Sequence, residues 1–122
     1  MRDPLTHRVI GCAIDVHQRL GPGLLESVYE GCVADELTRR NIPFRRQVAL
    51  PVTYRDKHID FGYRVDLLIE ERLIIEVKAV AHVMPVHHAQ LLTYMKLLKV
   101  KQGVLINFNV AVLVRGIKSF LL

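Results

Sequence analysis

The fold of this chain is decided by one stretch, residues 63–79, which reads YRVDLLIEERLIIEVKA. Two aliphatic runs flank a short charged segment at residues 70–72, and this pattern predicts two strands joined by a tight turn. The second run, residues 73–80, is aliphatic at both odd and even positions. Such a run is typical of a strand that is buried on both faces of its sheet.

Three charged residues lie inside these aliphatic runs: Asp66, Glu76 and Lys78. Side chains two positions apart in a strand point to the same face, so Glu76 and Lys78 share a face with Ile74. A buried carboxylate destabilises the fold by several kcal/mol unless it is paired or bound to a cation. We therefore expect Glu76 to have a compensating partner.

The length of the turn decides whether Asp66 and Glu76 face each other. A two-residue turn at Glu70 and Glu71 would pair Asp66 with Ile75, whereas a three-residue turn over residues 70–72 pairs Asp66 with Glu76. We predict the three-residue turn, although it contains no Gly or Asn to adopt the left-handed conformation that such turns favour. Two facing carboxylates repel unless a cation lies between them, and hard oxygen ligands suit Mg²⁺ or Mn²⁺.

The rest of the chain surrounds this hairpin with helices and further strands. We predict helices at residues 6–20, 24–40 and 85–99, and strands at residues 44–52, 103–106 and 110–115. The strand that carries Glu76, the helix after it and the strand at 103–106 form a crossover unit, which predicts that its two strands are parallel. Pro51 lacks an amide donor, so the strand at 44–52 is expected at a sheet edge or with a bulge.

Length and composition bound the class of protein. The 122 residues predict a single domain, residues 1–122, that buries most of its apolar surface without disulfides. Lys and Arg outnumber Asp and Glu by 17 to 12, a net charge of +5 that favours an acidic partner such as nucleic acid. Cys12 and Cys32 fall at apolar helix positions, and no run approaches the ~18 apolar residues of a membrane span. We therefore expect a cytoplasmic protein without a membrane segment.

Several motifs resemble those of a known family in the same order. The spacing of Asp66 from Glu76, Val77 and Lys78 is similar to the signature of the PD-(D/E)XK nuclease superfamily, an Asp followed by Glu-x-Lys on a hairpin. Upstream, GLLESVY at residues 23–29 resembles the GxxExxY family within that superfamily. VHHAQLLTY at residues 86–94 and GVLINFN at residues 103–109 also look like that family. The resemblance therefore extends over nearly the whole chain.

This resemblance implies a restriction-endonuclease-like α/β sandwich, in which helices flank a mixed central β-sheet. It implies that Asp66, Glu76 and the carbonyl of Val77 hold Mg²⁺ or Mn²⁺. Lys78 would orient or deprotonate the attacking water, or stabilise the transition state. Glu26 matches a helical Glu that often completes the metal site in the superfamily. The alternative for Glu26 is a favourable interaction with the N-terminus of its own helix.

The segment from Gln90 to Tyr94 resembles the QxxxY element of one nuclease branch of the superfamily. In that branch the Gln and Tyr lie beside the metal centre and the DNA backbone. Gln90 and Tyr94 share one side of their predicted helix with His87. The alternatives are a half-buried core tyrosine for Tyr94 and an ordinary surface histidine for His87.

Four arginines lie within eight residues around the turn at residues 41–43: Arg39, Arg40, Arg45 and Arg46. They can bind phosphates; the alternative is a solvated helix end whose arginines interact with the helix dipole. No helix or ribbon of this sequence is suited to reading base edges. We therefore expect weak sequence specificity and salt-sensitive binding.

These features predict a metal-dependent nuclease that hydrolyses phosphodiester bonds of nucleic acid, with DNA as the expected substrate. The alternative is a non-catalytic module that keeps the fold and binds nucleic acid or protein. The chain has no separate target-recognition domain, so a homodimer and a subunit of a larger complex are both compatible with it.

Overall fold

The structure is a computed structural model that describes residues 3–122. Its helices and strands follow one another as α1 (Pro4–Leu20), α2 (Glu26–Arg39), β1 (Phe44–Ala49), β2 (Val52–Tyr54), β3 (Lys57–Ile59), β4 (Arg64–Ile69), β5 (Leu73–Lys78), α3 (Pro85–Leu98), β6 (Gln102–Asn107) and β7 (Ile117–Leu121). Five strands form a sheet in the order β1-β4-β5-β6-β7, and β2 and β3 form a separate hairpin. Only the β5–β6 pair of this sheet is parallel. The predicted mixed sheet flanked by helices is confirmed.

The sheet separates two hydrophobic clusters. The larger cluster lies on the side of α1 and α2, where Val9, Tyr29 and Val33 pack against strand residues such as Ile75. The smaller cluster lies on the side of α3, whose Leu91 and Met95 are fully buried against the other face. Strand β5 is buried along nearly its whole length, as its continuous aliphatic sequence predicts.

The β4–β5 turn has the predicted three-residue length. Ile69 pairs with Leu73, and the amide of Arg72 donates to the carbonyl of Ile69 at 3.0 Å. Glu70 and Glu71 themselves adopt the left-handed conformation, with φ of 49° and 57°. The turn therefore forms without Gly or Asn. Continued by one residue beyond the pair Leu67–Ile75, the register of β4 and β5 places Asp66 opposite Glu76.

The crossover through α3 is confirmed, since β5 and β6 pair in parallel from Leu73 with Gln102 to Lys78 with Asn107. Pro85 is the first residue of α3, where its missing amide leaves no hydrogen bond unmade. None of the helices within residues 3–122 has both the length and the apolar character required to cross a membrane.

Two predicted strands differ from the structure. Strand β1, an edge strand as predicted from Pro51, ends at Ala49, and the chain then enters the separate β2–β3 hairpin. The last strand is β7, whereas residues 110–115 were expected to form it. The segment before β7 instead packs against α1: His17 hydrogen-bonds the carbonyl of Val110 at 2.8 Å, and Leu113 is buried in the larger cluster.

The ends of the first two helices also differ slightly. Helix α1 begins at Pro4, two residues before its predicted start, and Asp3 caps it, because the Asp3 carboxylate accepts from the amide of Thr6 at 2.9 Å. Helix α2 begins at Glu26, so Leu25 precedes the helix and its side chain is exposed. The buried side of α2 includes Glu30, a charged residue whose partners belong to the site described next.

Candidate active site

Asp66 and Glu76 meet across the β4–β5 hairpin. The amide of Asp66 donates to Glu76 Oε1 at 3.3 Å, and the amide of Val77 donates to Asp66 Oδ2 at 2.8 Å. Each carboxylate is thus bound to the backbone of the other strand. Glu76 is only 7% exposed, and Asp66 is half-buried. The two carboxylates therefore share one poorly solvated position.

Burial and mutual repulsion disfavour the charged forms of this pair. Burial is the main cause that raises the pKa of Glu76 to about 8; the charge of Asp66 adds to it, while the Asp66 amide and Lys78 oppose it. Burial also raises the pKa of Asp66 to about 6, against the opposing hydrogen bond from Val77 and with the charge of Glu30 adding to it. A cation at this position would relieve both effects.

The carbonyl of Val77 faces the β4 side of its strand. The carbonyl of Lys78 accepts from the amide of Phe108 at 2.8 Å, so it faces β6. In a strand, the amide and the carbonyl of one residue face the same neighbouring strand, and those of the next residue face the opposite neighbour. Because the Val77 amide donates to Asp66, its carbonyl also faces β4. The predicted third oxygen therefore lies on the side of β5 that faces Asp66.

Glu26, at the start of α2, reaches the end of β5. Its Oε2 accepts from the amide of Ala79 at 3.3 Å, and its charge contributes to the raised pKa of Glu76. Within residues 3–122, no three His, Cys, Asp or Glu side chains stand close enough together to hold a metal by themselves. The donors present are two carboxylates and a carbonyl, with a third carboxylate near them, and such oxygen donors fit Mg²⁺ or Mn²⁺.

A buried acid that sequence reasoning missed, Glu30, lies behind this pair. Arg46 donates to Glu30 Oε2 at 2.9 and 3.1 Å, and the side-chain Nε2 of Gln47 donates to Glu30 Oε1 at 2.7 Å and to Asp66 Oδ1 at 3.3 Å. Glu30 is 6% exposed. The sequence contained one indication of this role: Glu30 follows Glu26 by four residues, and residues four apart lie on the same face of a helix.

Tyr94 lies close to the carboxylates on the α3 side of the sheet. Burial raises the pKa of Tyr94, and the nearby charge of Glu76 raises it further. Its ring lies 6.3 Å from that of Tyr63, and both line a cavity of about 430 Å³ together with Gln90. His87 instead accepts a hydrogen bond from the Met84 amide at the start of α3, at 3.0 Å. The structure therefore brings Gln90 and Tyr94 together in one cavity, places Tyr94 near the carboxylates, and gives His87 a helix-capping contact.

The four predicted phosphate-binding arginines contact different acidic partners. Arg39 pairs with Asp35, Arg40 with Asp15 and Glu36, Arg45 with Glu71, and Arg46 with Glu30. Only Arg46 is joined to the carboxylate pair, through Glu30 and Gln47. A phosphate at any of these arginines would have to compete with its carboxylate partner.

The mixed sheet, its flanking helices and the two opposed carboxylates define the restriction-endonuclease-like class of α/β proteins. Residues 3–120 match the family model of the PD-(D/E)XK nuclease superfamily, and the chain belongs to this superfamily. Its members are usually hydrolytic nucleases that use divalent metals. No curated protein and no solved structure gives a significant match to the chain.

Proposed function

We propose that this protein is a divalent-metal-dependent nuclease of the GxxExxY branch of the superfamily. The observation that carries the proposal is the opposition of Asp66 and Glu76 across the hairpin, each hydrogen-bonded to the other strand. Lys78 lies two residues after Glu76 on the same strand, close enough to lower its pKa. This is the order of groups that the superfamily signature requires.

Asp66, Glu76 and the carbonyl of Val77 are the proposed ligands for Mg²⁺ or Mn²⁺. Glu26 would bind the ion directly or through water, since it already reaches the amide of Ala79 beside the pair. Bound there, the ion would supply Lewis-acid chemistry that activates water and offsets negative charge on the scissile phosphate.

The protein groups around the carboxylates would orient the reactants. The side chain of Lys78 would orient or deprotonate the attacking water as the neutral amine, or stabilise the transition-state charge as the ammonium. The pKa of Tyr94 is raised, so its hydroxyl stays protonated at neutral pH and can donate to a phosphate oxygen. The amide of Gln90, one helical turn earlier, can donate to the same strand of substrate.

Nucleic acid, with DNA as the expected form, is the proposed substrate. The net charge of +5 attracts a polyanion. Arg39 and Arg45 have side chains 71% and 57% exposed, and their surface carboxylate partners can be exchanged for phosphates at little energetic cost. Arg40 and Arg46 would contribute less, because their partners are less exposed. A homodimer or a larger complex would supply any further recognition.

The proposal is tested by a cleavage assay on single-stranded and double-stranded DNA and RNA with Mg²⁺, Mn²⁺ or EDTA. We expect cleavage that EDTA abolishes and either metal restores. Lys78→Ala should retain the fold and lose the activity, and Lys99→Ala, on an exposed lysine beyond α3, is the matched control. Equal cleavage by the wild type and Lys78→Ala would refute the proposed site.

A non-catalytic binding module is the second candidate. The observation that favours it is the small side-chain donor set, since within residues 3–122 no three His, Cys, Asp or Glu side chains lie close enough together to hold a metal by themselves. Such a module would bind nucleic acid or protein without divalent metal. Binding unaffected by EDTA and by Glu76→Gln, with no cleavage of any substrate, would identify it.

A further inference from the structure

A mostly apolar cavity of about 430 Å³ opens between α3 and the chain that leads into β4. Its aromatic walls are Tyr63 and Tyr94, whose ring centroids lie 6.3 Å apart at an angle of 47°. Val52, Ala89 and Leu97 supply apolar surface, and Gln90 supplies a polar group. The cavity is thus lined by two rings and one amide that can both donate and accept hydrogen bonds.

The two aromatic walls of this cavity link it to the region of the carboxylate pair. Tyr63 immediately precedes β4 and lies three residues before Asp66, a separation of roughly 10 Å for extended chain. Tyr94, on the opposite wall, is close enough to Glu76 for the carboxylate charge to act on its hydroxyl. A nucleotide whose phosphate lies at the carboxylates can therefore extend its neighbouring base into the cavity.

The β2–β3 hairpin and the segment that follows it to β4 present exposed aromatic and basic groups. Phe61 and Tyr63 are 56% and 53% exposed, and Arg55 lies 5.7 Å from the ring of Tyr54. Lys57 adds another exposed cation on β3. Aromatic faces combined with positive charge are the features that bind single-stranded nucleic acid through stacking and phosphate contacts.

We propose that the cavity between Tyr63, Tyr94 and Gln90 accepts an unpaired base next to the scissile phosphate, so that the enzyme acts on single-stranded or frayed nucleic acid. The inference rests on the proposed nuclease function and specifies its substrate. The bases of an intact duplex are stacked and paired, so they enter such a cavity only after unstacking. A single strand presents its bases without this energetic cost.

Binding measured in EDTA separates this inference from catalysis. The probe is a single-stranded oligonucleotide with one 2-aminopurine, compared with the same sequence as a duplex. We expect tighter binding of the single strand, with quenching of 2-aminopurine by stacking. Tyr63→Ala should weaken single-strand binding roughly 5- to 150-fold, the range for loss of one base–aromatic stack. Leu121→Ala is the control, because Leu121 is an exposed apolar residue on β7 that does not line the cavity.

A second variant fills the cavity without removing a ring. Ala89 is exposed on α3 and lines the cavity, so Ala89→Leu should keep the fold and weaken single-strand binding in the same direction as Tyr63→Ala. Equal affinity for single strand and duplex, with both variants like the wild type, would overturn the inference.

Cleavage assays on the same variants distinguish the two proposals. Metal-dependent cleavage of duplex that Tyr63→Ala and Ala89→Leu leave unchanged would reject the base cavity and keep the nuclease. Base-dependent binding without cleavage of any substrate would keep the cavity and reject the nuclease.

Discussion

The amide of Asp66 donates a hydrogen bond to the carboxylate of Glu76 across the β4–β5 hairpin. The reciprocal contact from Val77 to Asp66 holds the second carboxylate in place, so backbone groups fix both side chains. No salt bridge among residues 3–122 includes Lys78. Backbone hydrogen bonds therefore fix the positions of the two carboxylates, while no ion pair with Lys78 offsets their negative charge.

We expect Glu76→Gln to stabilise the metal-free protein or leave it unchanged. The substitution removes one charge from the pair at nearly constant volume, and the amide oxygen of Gln can still accept from Asp66. Mg²⁺ or Mn²⁺ should raise the melting temperature of the wild type and leave Glu76→Gln nearly unmoved, since only the folded wild type binds the ion. Thermal melts in EDTA and in a Mn²⁺ series provide the measurement. A wild type indifferent to metal would exclude this metal site.

The pKa of Glu76 is raised from its ordinary value of 4.5 to about 8 in the folded protein. The stability of the metal-free protein should therefore fall as the pH rises between these two values. Because the folded-state pKa is the higher one, the folded protein keeps a proton that the unfolded chain releases in this window. Stability from Glu76 is thus complete below the window and lost above it. Melting curves in EDTA across this range should show a smaller slope for Glu76→Gln. A wild-type-minus-mutant difference that is constant with pH would contradict the prediction.

Tyr29→Phe should lower stability and activity together. The Tyr29 hydroxyl donates to the Gly21 carbonyl at 2.6 Å and accepts from the Leu24 amide at 3.1 Å, and these contacts fix the loop before Glu26. Losing them should destabilise the fold by about 1–3 kcal/mol, while the ring keeps its stacking on Phe108 at 4.5 Å. Denaturant unfolding gives the energy, and cleavage is measured well below the melting transition. Unchanged stability would show that the hydroxyl contacts contribute little.

Glu70→Asn should stabilise the protein by up to about 1 kcal/mol, because Asn tolerates the left-handed conformation better than Glu. Glu70 is exposed with φ of 49°, and its amide still donates to the Pro43 carbonyl. Glu71→Asn is the comparison variant, since it would also lose the two hydrogen bonds from Arg45. Melting temperatures of the two variants decide the prediction, which fails if Glu70→Asn melts below the wild type.

Nucleic-acid affinity should fall steeply with salt and depend little on sequence. Each arginine that contacts a phosphate contributes about one unit to the slope of log affinity against log salt. Arg39→Gln and Arg45→Gln should each reduce that slope and weaken all sequences alike. Fluorescence anisotropy over a salt series is the measurement, with Arg115→Gln as a control outside the arginine cluster. Affinity that does not change with salt would argue against phosphate contacts.

The hairpin and the crossover unit could be predicted because both depend on local patterns. The aliphatic runs around Asp66 and Glu76 identify the two strands, and the length between β5 and β6 leaves room for the crossover helix that parallel strands need. The register was harder to predict, because it depends on Glu70 and Glu71 adopting a conformation that their residue type disfavours. Here pairing of the flanking strands overrides the local preference.

Other features depend on contacts that the sequence does not display. The segment before β7 is aliphatic enough for a strand, yet Val110 is held by His17, 93 residues away in sequence. Gly116 lies so close to the carbonyl of Asn107 that no side chain would fit, which fixes where β7 can begin. The pairing of Glu30 with Arg46 could not be predicted either, because an arginine in this part of the sequence could equally be exposed to solvent.

The contacts that build the candidate site differ in how far apart they are along the chain. Tyr29 and Gly21 are separated by 8 residues, and Asp66 and Glu76 by 10, whereas Glu26 and Ala79 are separated by 53. Local contacts close small loops and can form early in folding, while distant ones require a larger loss of chain entropy. The helical half and the hairpin half of the site can therefore assemble independently. We expect the full arrangement to appear only when α2 docks against β5, late in the folding reaction.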